Sequence, residues 1–250
     1  MQGYKNLVDR GIQGLVVIGG DGSLRGASLL SKETGIPIVG LPGTIDNDVW
    51  GTDITFGFDT AVNIATESID RLHSTASSHK RVMVVEVVGD HAGWIALYAG
   101  MAGGADVILL PELGYDLDRV NGTILDRAHK GTPYSIVVVA EGIKTPDKKH
   151  PASYITHAIE EATGIETRDT VLGYTQRGGN PSPFDGNLAT RLGGHAAELI
   201  AKGQFGQMVC MKGDRVDSIP LSEVAGKLKL VTPDHDLIVQ GMRMGITFGH

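Results

Sequence analysis

The sequence has one cysteine, Cys210, which excludes an intrachain disulfide and any metal cluster built on several thiolates. No run approaches the roughly 18 apolar residues of a membrane span. The opening MQGYKNLVDRG has no apolar stretch of the kind a secretory signal carries. Neither a span nor a signal peptide is therefore expected, and the cytoplasm is the natural compartment. Positive charge is also short: 22 Lys and Arg against 29 Asp and Glu leave a net charge of −7. Affinity for a phosphate backbone needs clustered, unbalanced Lys and Arg, so a nucleic-acid binder is disfavoured and any anion site must be local. The Walker A pattern is absent, and G-x-G-x-x-G read from Gly20 fails because Arg25 stands where the last glycine is needed. Hydride transfer from a dinucleotide and P-loop chemistry are disfavoured with it.

What is abundant is glycine and buried aliphatic sequence. The 250 residues include 35 glycines, close to twice the usual share of about 7%, most of them directly after short apolar runs. A 41% hydrophobic content supports a sizeable core. The runs LVVIGG (15–20), IPIVGLP (36–42), RVMVVEVVG (81–89), DVILLPE (106–112) and SIVVVAEG (135–142) read as strands buried on both faces. Between and after them, 23–34, 59–76, 93–102, 116–129, 152–163 and 187–202 have helix composition and length. The order is βαβα, which predicts an α/β fold with mainly parallel sheets of the doubly wound, Rossmann-like kind. One polar insertion, KTPDKKHPAS (144–153), reads as a solvated surface loop. His79, His91 and His195 have no metal-ligand spacing, and Trp50 and Trp94 read as packing residues.

Two loops at strand ends could carry chemistry. Gly19-Gly20-Asp21-Gly22-Ser23 joins strand 15–20 to a helix. Adjacent glycines let the backbone approach a phosphate, the helix start favours an anion, and an Asp there can hold Mg²⁺. The same residues would also make an ordinary tight turn with an N-cap. Pro42-Gly43-Thr44-Ile45-Asp46-Asn47-Asp48 comes after the next strand, at the end where open α/β sheets place ligands. Its two carboxylates could comprise a general base and a group that orients it, although a polar turn uses the same residue types.

Together with Ser77-Ser78-His79-Lys80-Arg81, Val85-Glu86-Val87-Val88-Gly89, Glu166-Thr167-Arg168 and Gly173-Tyr174-Thr175-Gln176-Arg177-Gly178-Gly179, these loops resemble the ATP-dependent 6-phosphofructokinases, in the family's order from about residue 11 to 205. The resemblance implies transfer of the ATP γ-phosphoryl group to O1 of fructose 6-phosphate. It implies Asp46 as general base, Thr44 positioning the phosphoryl group and Asp48 supporting the carboxylate site. The nucleotide would meet Gly20, Asp21, Gly22, Ser23 and Gly26, with Asp21 toward Mg²⁺. The sugar phosphate would meet Thr44, Ile45, Asp46, Arg81, Val88, Gly89, Asp90, Glu141, Arg168, Tyr174, Gln176 and Arg177. In the family, the counterparts of Arg81 and Arg168 reach the sugar phosphate of a neighbouring subunit, which implies a homo-oligomer, dimer or tetramer.

The same resemblance implies two lobes around a catalytic cleft: 1–57 with 177–225 for ATP, and 58–176 with 226–250 for fructose 6-phosphate and effectors. The chain reaches strand 15–20 after one helix-like stretch, so the nucleotide lobe is expected to lack an N-terminal strand and glycine-rich loop, and the 250 residues alone to turn over poorly. Departures are visible as well. Asp90 stands where the family usually has an arginine facing the transferred group, Tyr174 replaces a frequent histidine and Val88 a methionine. Asp106 and Lys130 resemble effector-site residues, whereas Thr132 and His73 lack the positive charge common there. Gly22 and Gly43 speak against a pyrophosphate-dependent enzyme, which has Asp and Lys at those places. An inactive sugar-phosphate-binding paralogue is the other alternative.

Overall fold

The computed structural model describes residues 2–146 and 150–250. In chain order the elements are α1 (Gln2–Asp9), β1 (Leu15–Gly19), α2 (Asp21–Thr34), β2 (Ile38–Thr44), β3 (Phe56–Gly57), α3 (Phe58–His79), β4 (Val82–Val87), α4 (Trp94–Ala102), β5 (Val107–Leu109), α5 (Leu117–His129), β6 (Ser135–Ala140), α6 (Pro151–Thr163), β7 (Thr167–Val171), α7 (Pro183–Ala201), β8 (Gln207–Lys212), β9 (Arg215–Pro220), α8 (Leu221–Val224) and α9 (Asp236–Arg243). Two compact units result, one of Met1–Asp59 with Pro181–Lys229, the other of Thr60–Asn180 with Leu230–His250. The family resemblance places these breaks at 57/58, 176/177 and 225/226. No helix among the described residues is long and apolar enough to cross a membrane.

The first unit is built on a sheet in the order β1-β2-β8-β9, with β3 added at the end of β2. β1, β2, β3 and β8 are parallel, and β9 returns antiparallel to β8. β2 lies inside because both its faces are apolar. Ile38 packs with Leu24, Val49, Met208 and Leu221 on one side. Val39 and Leu41 pack with Leu188, Leu192 and Val209 on the other. Gly40 lets α2 and α8 come close, since a Cβ there would lie 2.9 Å from Leu24 Cδ2 and 3.2 Å from Leu221 Cδ1. Helix ends obey local rules: α2 stops at Gly35, left-handed at φ 72°. α7 starts with Ser182 accepting from Asp185 N and with Pro183 in its first turn.

The second unit has a four-stranded, fully parallel sheet in the order β5-β6-β4-β7. Every residue of β4 and β6 is buried, the double-sided burial that their Val-rich sequences predict. In the register, Val87 pairs with Ala140 and Glu86 with Val171. The carboxyl ends of β4, β6 and β7 therefore lie together, and the loops carrying Gly89, Glu141 and Gly173 leave the sheet from one edge. The amino ends, with Arg81 just before β4 and Arg168 on β7, lie at the opposite edge.

Candidate active site

In the first unit the register pairs Gly19 with Pro42, so the two loops leave neighbouring strands side by side. Gly19 is required by close approach: a Cβ would sit 2.5 Å from that of Ser23. Gly20 caps α2, and a Cβ on it would lie 3.4 Å from Thr44 Cβ, which brings the glycine loop against the Thr44 side chain. Asp21 and Gly22 open the helix, where unpaired backbone N–H groups and the helix dipole favour an anion. Among the described residues Asp21 Oδ1 is buried without a hydrogen-bond partner, a state that suits a cation ligand. Gly22 and Gly26 have nothing within 4 Å of a notional Cβ and border open space, while Ser23 lies on the first turn. Gly43 differs from Gly22: its missing Cβ would lie 2.7 Å from Ile18 Cγ2 and 2.9 Å from the Phe56 ring. Packing inside the unit therefore dictates glycine at 43, whatever the phosphoryl donor.

Thr44 ends β2 and organises the turn after it. Its hydroxyl accepts from Asp46 N at 3.2 Å and donates to Asp46 Oδ2 at 3.4 Å. Its carbonyl accepts from Thr55 Oγ1 at 2.7 Å. Ile45 turns its side chain toward β3, with Cγ2 3.2 Å from the notional Cβ of Gly57. Asn47 is buried and left-handed at φ 54°, a conformation Asn tolerates better than most residues. Its Oδ1 accepts from Thr55 N at 3.0 Å. Asp46 is thus held on a sharp turn between two anchored residues. Asp48 behind it is buried, and its carbonyl accepts from Lys229 N at 2.8 Å.

In the second unit a cavity of about 940 Å³ opens at the carboxyl edge of the sheet, lined by Glu86, Asp90, Glu141, His150, Arg177 and neighbours. Glu141 Oε1 accepts from Gly89 N at 3.2 Å, tying the ends of β6 and β4 together. Gly142 is forced, because a Cβ there would fall 1.9 Å from Asp90 O. The Asp90 carboxylate is largely exposed and lies 3.5 Å from His91 Nδ1. Arg177 reaches the cavity with its guanidinium 5.6 Å from the centre of the exposed Tyr174 ring, a cation–π contact. Gln176 corrects the sequence reading. It is buried, its Oε1 accepts from Val88 N at 3.3 Å and its Nε2 donates to Gly173 O at 3.1 Å, so it braces the turn instead of facing a ligand. Val88 is buried too.

The insertion at 144–153 is exposed at Lys144, Pro146 and His150, as a solvated loop is, and its Lys144, Thr145, His150 and Pro151 also line the cavity wall. Its residues 147–149 lie outside the described residues. Glu86, named only as part of a strand motif, is a cavity residue as well. Burial raises its pKa above the ordinary carboxylate value, while the hydrogen bond it accepts from Ala152 N at 2.9 Å acts the other way. Trp94 is buried as expected, whereas Trp50 is 45% exposed with the Lys227 ammonium 5.7 Å from its ring centre.

Arg81 and Arg168 meet elsewhere. Glu166 takes both, at 3.2 Å from Arg81 Nη2 and 2.7 Å from Arg168 Nη2, and Glu160 lies 3.7 Å from Arg168. The six residues of β4 separate this cluster from the cavity edge, about 20 Å at roughly 3.3 Å per residue. Asp106 is engaged internally by Arg127 at 2.9 Å and Ile136 N at 2.9 Å, and His73 Nε2 lies 2.7 Å from Gly103 O.

A profile of the phosphofructokinase family matches residues 1–200. The chain belongs to the phosphofructokinase family. It is 64% identical over 245 residues to an ATP-dependent 6-phosphofructokinase 3 of Bacteroides thetaiotaomicron, covering 98% of this chain and 73% of that protein. A pyrophosphate–fructose 6-phosphate 1-phosphotransferase of Streptomyces coelicolor is 47% identical over 245 residues, 91% of this chain and 71% of its own length. Among solved structures, the T-state phosphofructokinase of Pichia pastoris superposes with a TM-score of 0.82 at 36% identity, over 89% of this chain and 26% of that one. The chain thus spans about seven tenths of the two curated relatives and a smaller part of the yeast chain. Its α/β fold with mainly parallel sheets is that of the family, and of the two donors named among these relatives ATP goes with the greater identity.

Proposed function

We propose that this chain carries the reaction centre of an ATP-dependent 6-phosphofructokinase, in which Asp46 takes the proton of the fructose 6-phosphate 1-hydroxyl as that oxygen attacks the γ-phosphorus. The bond from γ-phosphorus to the β,γ-bridging oxygen breaks, and fructose 1,6-bisphosphate and ADP leave. The observation that carries this reading is the turn at 44–48. Asp46 is fixed by Thr44 and Asn47 directly beside a glycine loop that opens a helix. Phosphoryl transfer needs little covalent chemistry from the protein, only a placed base, a placed acceptor and stabilised charge. Thr44 and the first turn of α2 suit the phosphate chain. Asp21, with its buried and unpaired Oδ1, is the residue that would hold Mg²⁺, which supplies charge neutralisation on the phosphates when bound. Glu141 and Arg177 on the cavity of the second unit suit the sugar hydroxyls and the 6-phosphate. A glycolytic kinase of this kind belongs in the cytoplasm.

Assembly into a homo-oligomer is argued from where the arginines sit. Arg81 and Arg168 lie about 20 Å along β4 from Arg177, too far to share its phosphate within one chain. They serve a sugar phosphate only across a subunit boundary. Asp46→Asn is the central test: kcat should fall by about 10²–10⁴-fold, the usual range for a lost general base, with little change in the fructose 6-phosphate KM. Near-normal kcat would remove Asp46 from the base role. For assembly, mixing Asp46→Asn with Arg168→Ala subunits should restore activity that neither has alone, and its failure in a protein that sediments as a monomer would refute the shared site.

A further inference from the structure

We infer that Lys229 is a positioning residue for the reaction. Its ammonium donates at once to Asn47 Oδ1 at 2.9 Å, Thr52 O at 3.1 Å and Asp53 O at 2.8 Å, and so holds the left-handed turn that presents Asp46. The inference rests on the function proposed above for Asp46. Residue 229 grips the loop twice, because its backbone N–H also donates to Asp48 O at 2.8 Å, and the preceding Leu228 bridges Val49 antiparallel. The segment 47–53 is therefore clamped by a strand-like strap that arrives 182 residues later in sequence.

The choice of lysine is chemical. Three converging carbonyl-type oxygens match the three N–H bonds of an ammonium, whereas a neutral amine has two and leaves one acceptor without its donor. Asn47 Oδ1 takes Thr55 N and Lys229 Nζ together. Both of its lone-pair directions are then used, and the side chain that stabilises φ 54° cannot rotate without breaking two bonds. The charged groups facing the ammonium are Asp48 and Asp53, which favour the charged form, and Lys212, which opposes it. Burial outweighs them and brings the Lys229 pKa down to about 8. The clamp is thus at full strength well below pH 8 and loses a bond as pH rises through that value.

The test compares Lys229→Met, which keeps length without donors, with Lys229→Arg, which keeps charge. Lys229→Met should lower kcat about 100-fold, the scale of a sub-ångström to 1 Å misplacement. The KM values for ATP and fructose 6-phosphate should change far less than kcat, because the first turn of α2 and the cavity residues Glu141 and Arg177 lie outside the loosened turn. Amide hydrogen exchange should quicken over residues 44–55 and stay unchanged in β8. Wild-type kcat should decline above pH 8 with an inflection that Lys229→Arg lacks. Unchanged exchange at 44–55 in Lys229→Met, or equal acceleration in β8, would overturn the inference, the second by showing a general structural role. If the wild-type protein shows no turnover of fructose 6-phosphate, the proposed function falls, and the exchange comparison still decides whether Lys229 holds the turn.

Discussion

Asn47 is the residue whose replacement best separates the forces that shape the turn at 44–48. Asn47→Ala puts a Cβ-only side chain at φ 54°, a left-handed strain of about 1–2 kcal/mol. It also strips the acceptor from Thr55 N, which is buried with its residue, at about 1–3 kcal/mol for an unsatisfied buried donor. The Lys229 ammonium loses one acceptor but keeps Thr52 O and Asp53 O, so that contribution is smaller, about 1 kcal/mol. The expected loss for Ala is about 3–5 kcal/mol, taken below the plain sum because neighbouring effects overlap. Asn47→Gly loses the same hydrogen bonds and relieves the strain, while its looser unfolded chain returns about 0.4–1 kcal/mol of that gain. Glycine should therefore be less damaging by up to about 1.5 kcal/mol. The assay is urea unfolding in a Trp94→Phe background. The protein has two tryptophans, and the remaining Trp50 then reports on the first unit alone. An Ala variant that loses under about 1 kcal/mol, or a Gly variant worse than Ala, would refute the assignment of strain and hydrogen bonding at this turn.

Three further outcomes are expected. Glu86 has a folded pKa raised by burial, so the stability it contributes is complete below its unfolded pKa and is lost as pH rises through the raised value. Glu86→Gln keeps the acceptor for Ala152 N and should flatten that loss in thermal melts from acid to neutral pH; an unaltered pH slope would assign it to another group. Gly43→Ala should destabilise the first unit by about 1–3 kcal/mol through overpacking against Ile18 and Phe56, whereas Gly22→Ala, in open space at a helix start, should be neutral in stability and tell in the KM for ATP. Equal stabilities of the two variants would contradict the packing difference. In an enzyme completed to the length of its relatives, Asp90→Arg should raise kcat, because the resembling family usually has an arginine there facing the transferred group, and steady-state rates that fall or stay level would mean that the exposed carboxylate faces away from that group.

The strands most legible in the sequence are β4 and β6; β1 reads with them as buried on both faces but leaves Val16 and Ile18 exposed, and the sequence reading omits β8, which is buried over Met208–Met211. VMVVEV and SIVVVA need no partner information to be recognised, because a Val-rich run of that length is stable only inside a parallel sheet. β7, TRDTV, is half exposed at the sheet edge and carries two charges in five residues, so its local pattern does not announce a strand. Its place is created by β4, which pairs along its whole length. β9 is similar, a polar edge strand whose pairing partner β8 sits inside the unit.

The same division runs through the site. The turn of Thr44 and Asp46 and the glycine loop beside it were legible as local structure because their contacts are with residues a few places away, at the ends of strands that could be read. Gln176, Glu86 and Lys229 were not, because their roles depend on partners 88, 66 and 182 residues distant. A glutamine in a motif reads as ligand-facing until its amide is seen bonded to Val88 and Gly173. A lysine near a loop reads as solvent-facing until three oxygens are seen around it. The insertion at 144–153 was legible as an exposed loop from its polar composition, but composition does not tell that Lys144, Thr145 and His150 also line a polar cavity. Local chemistry therefore names the candidate reacting groups, while the groups that hold their turn in place become visible only when topology brings distant segments together.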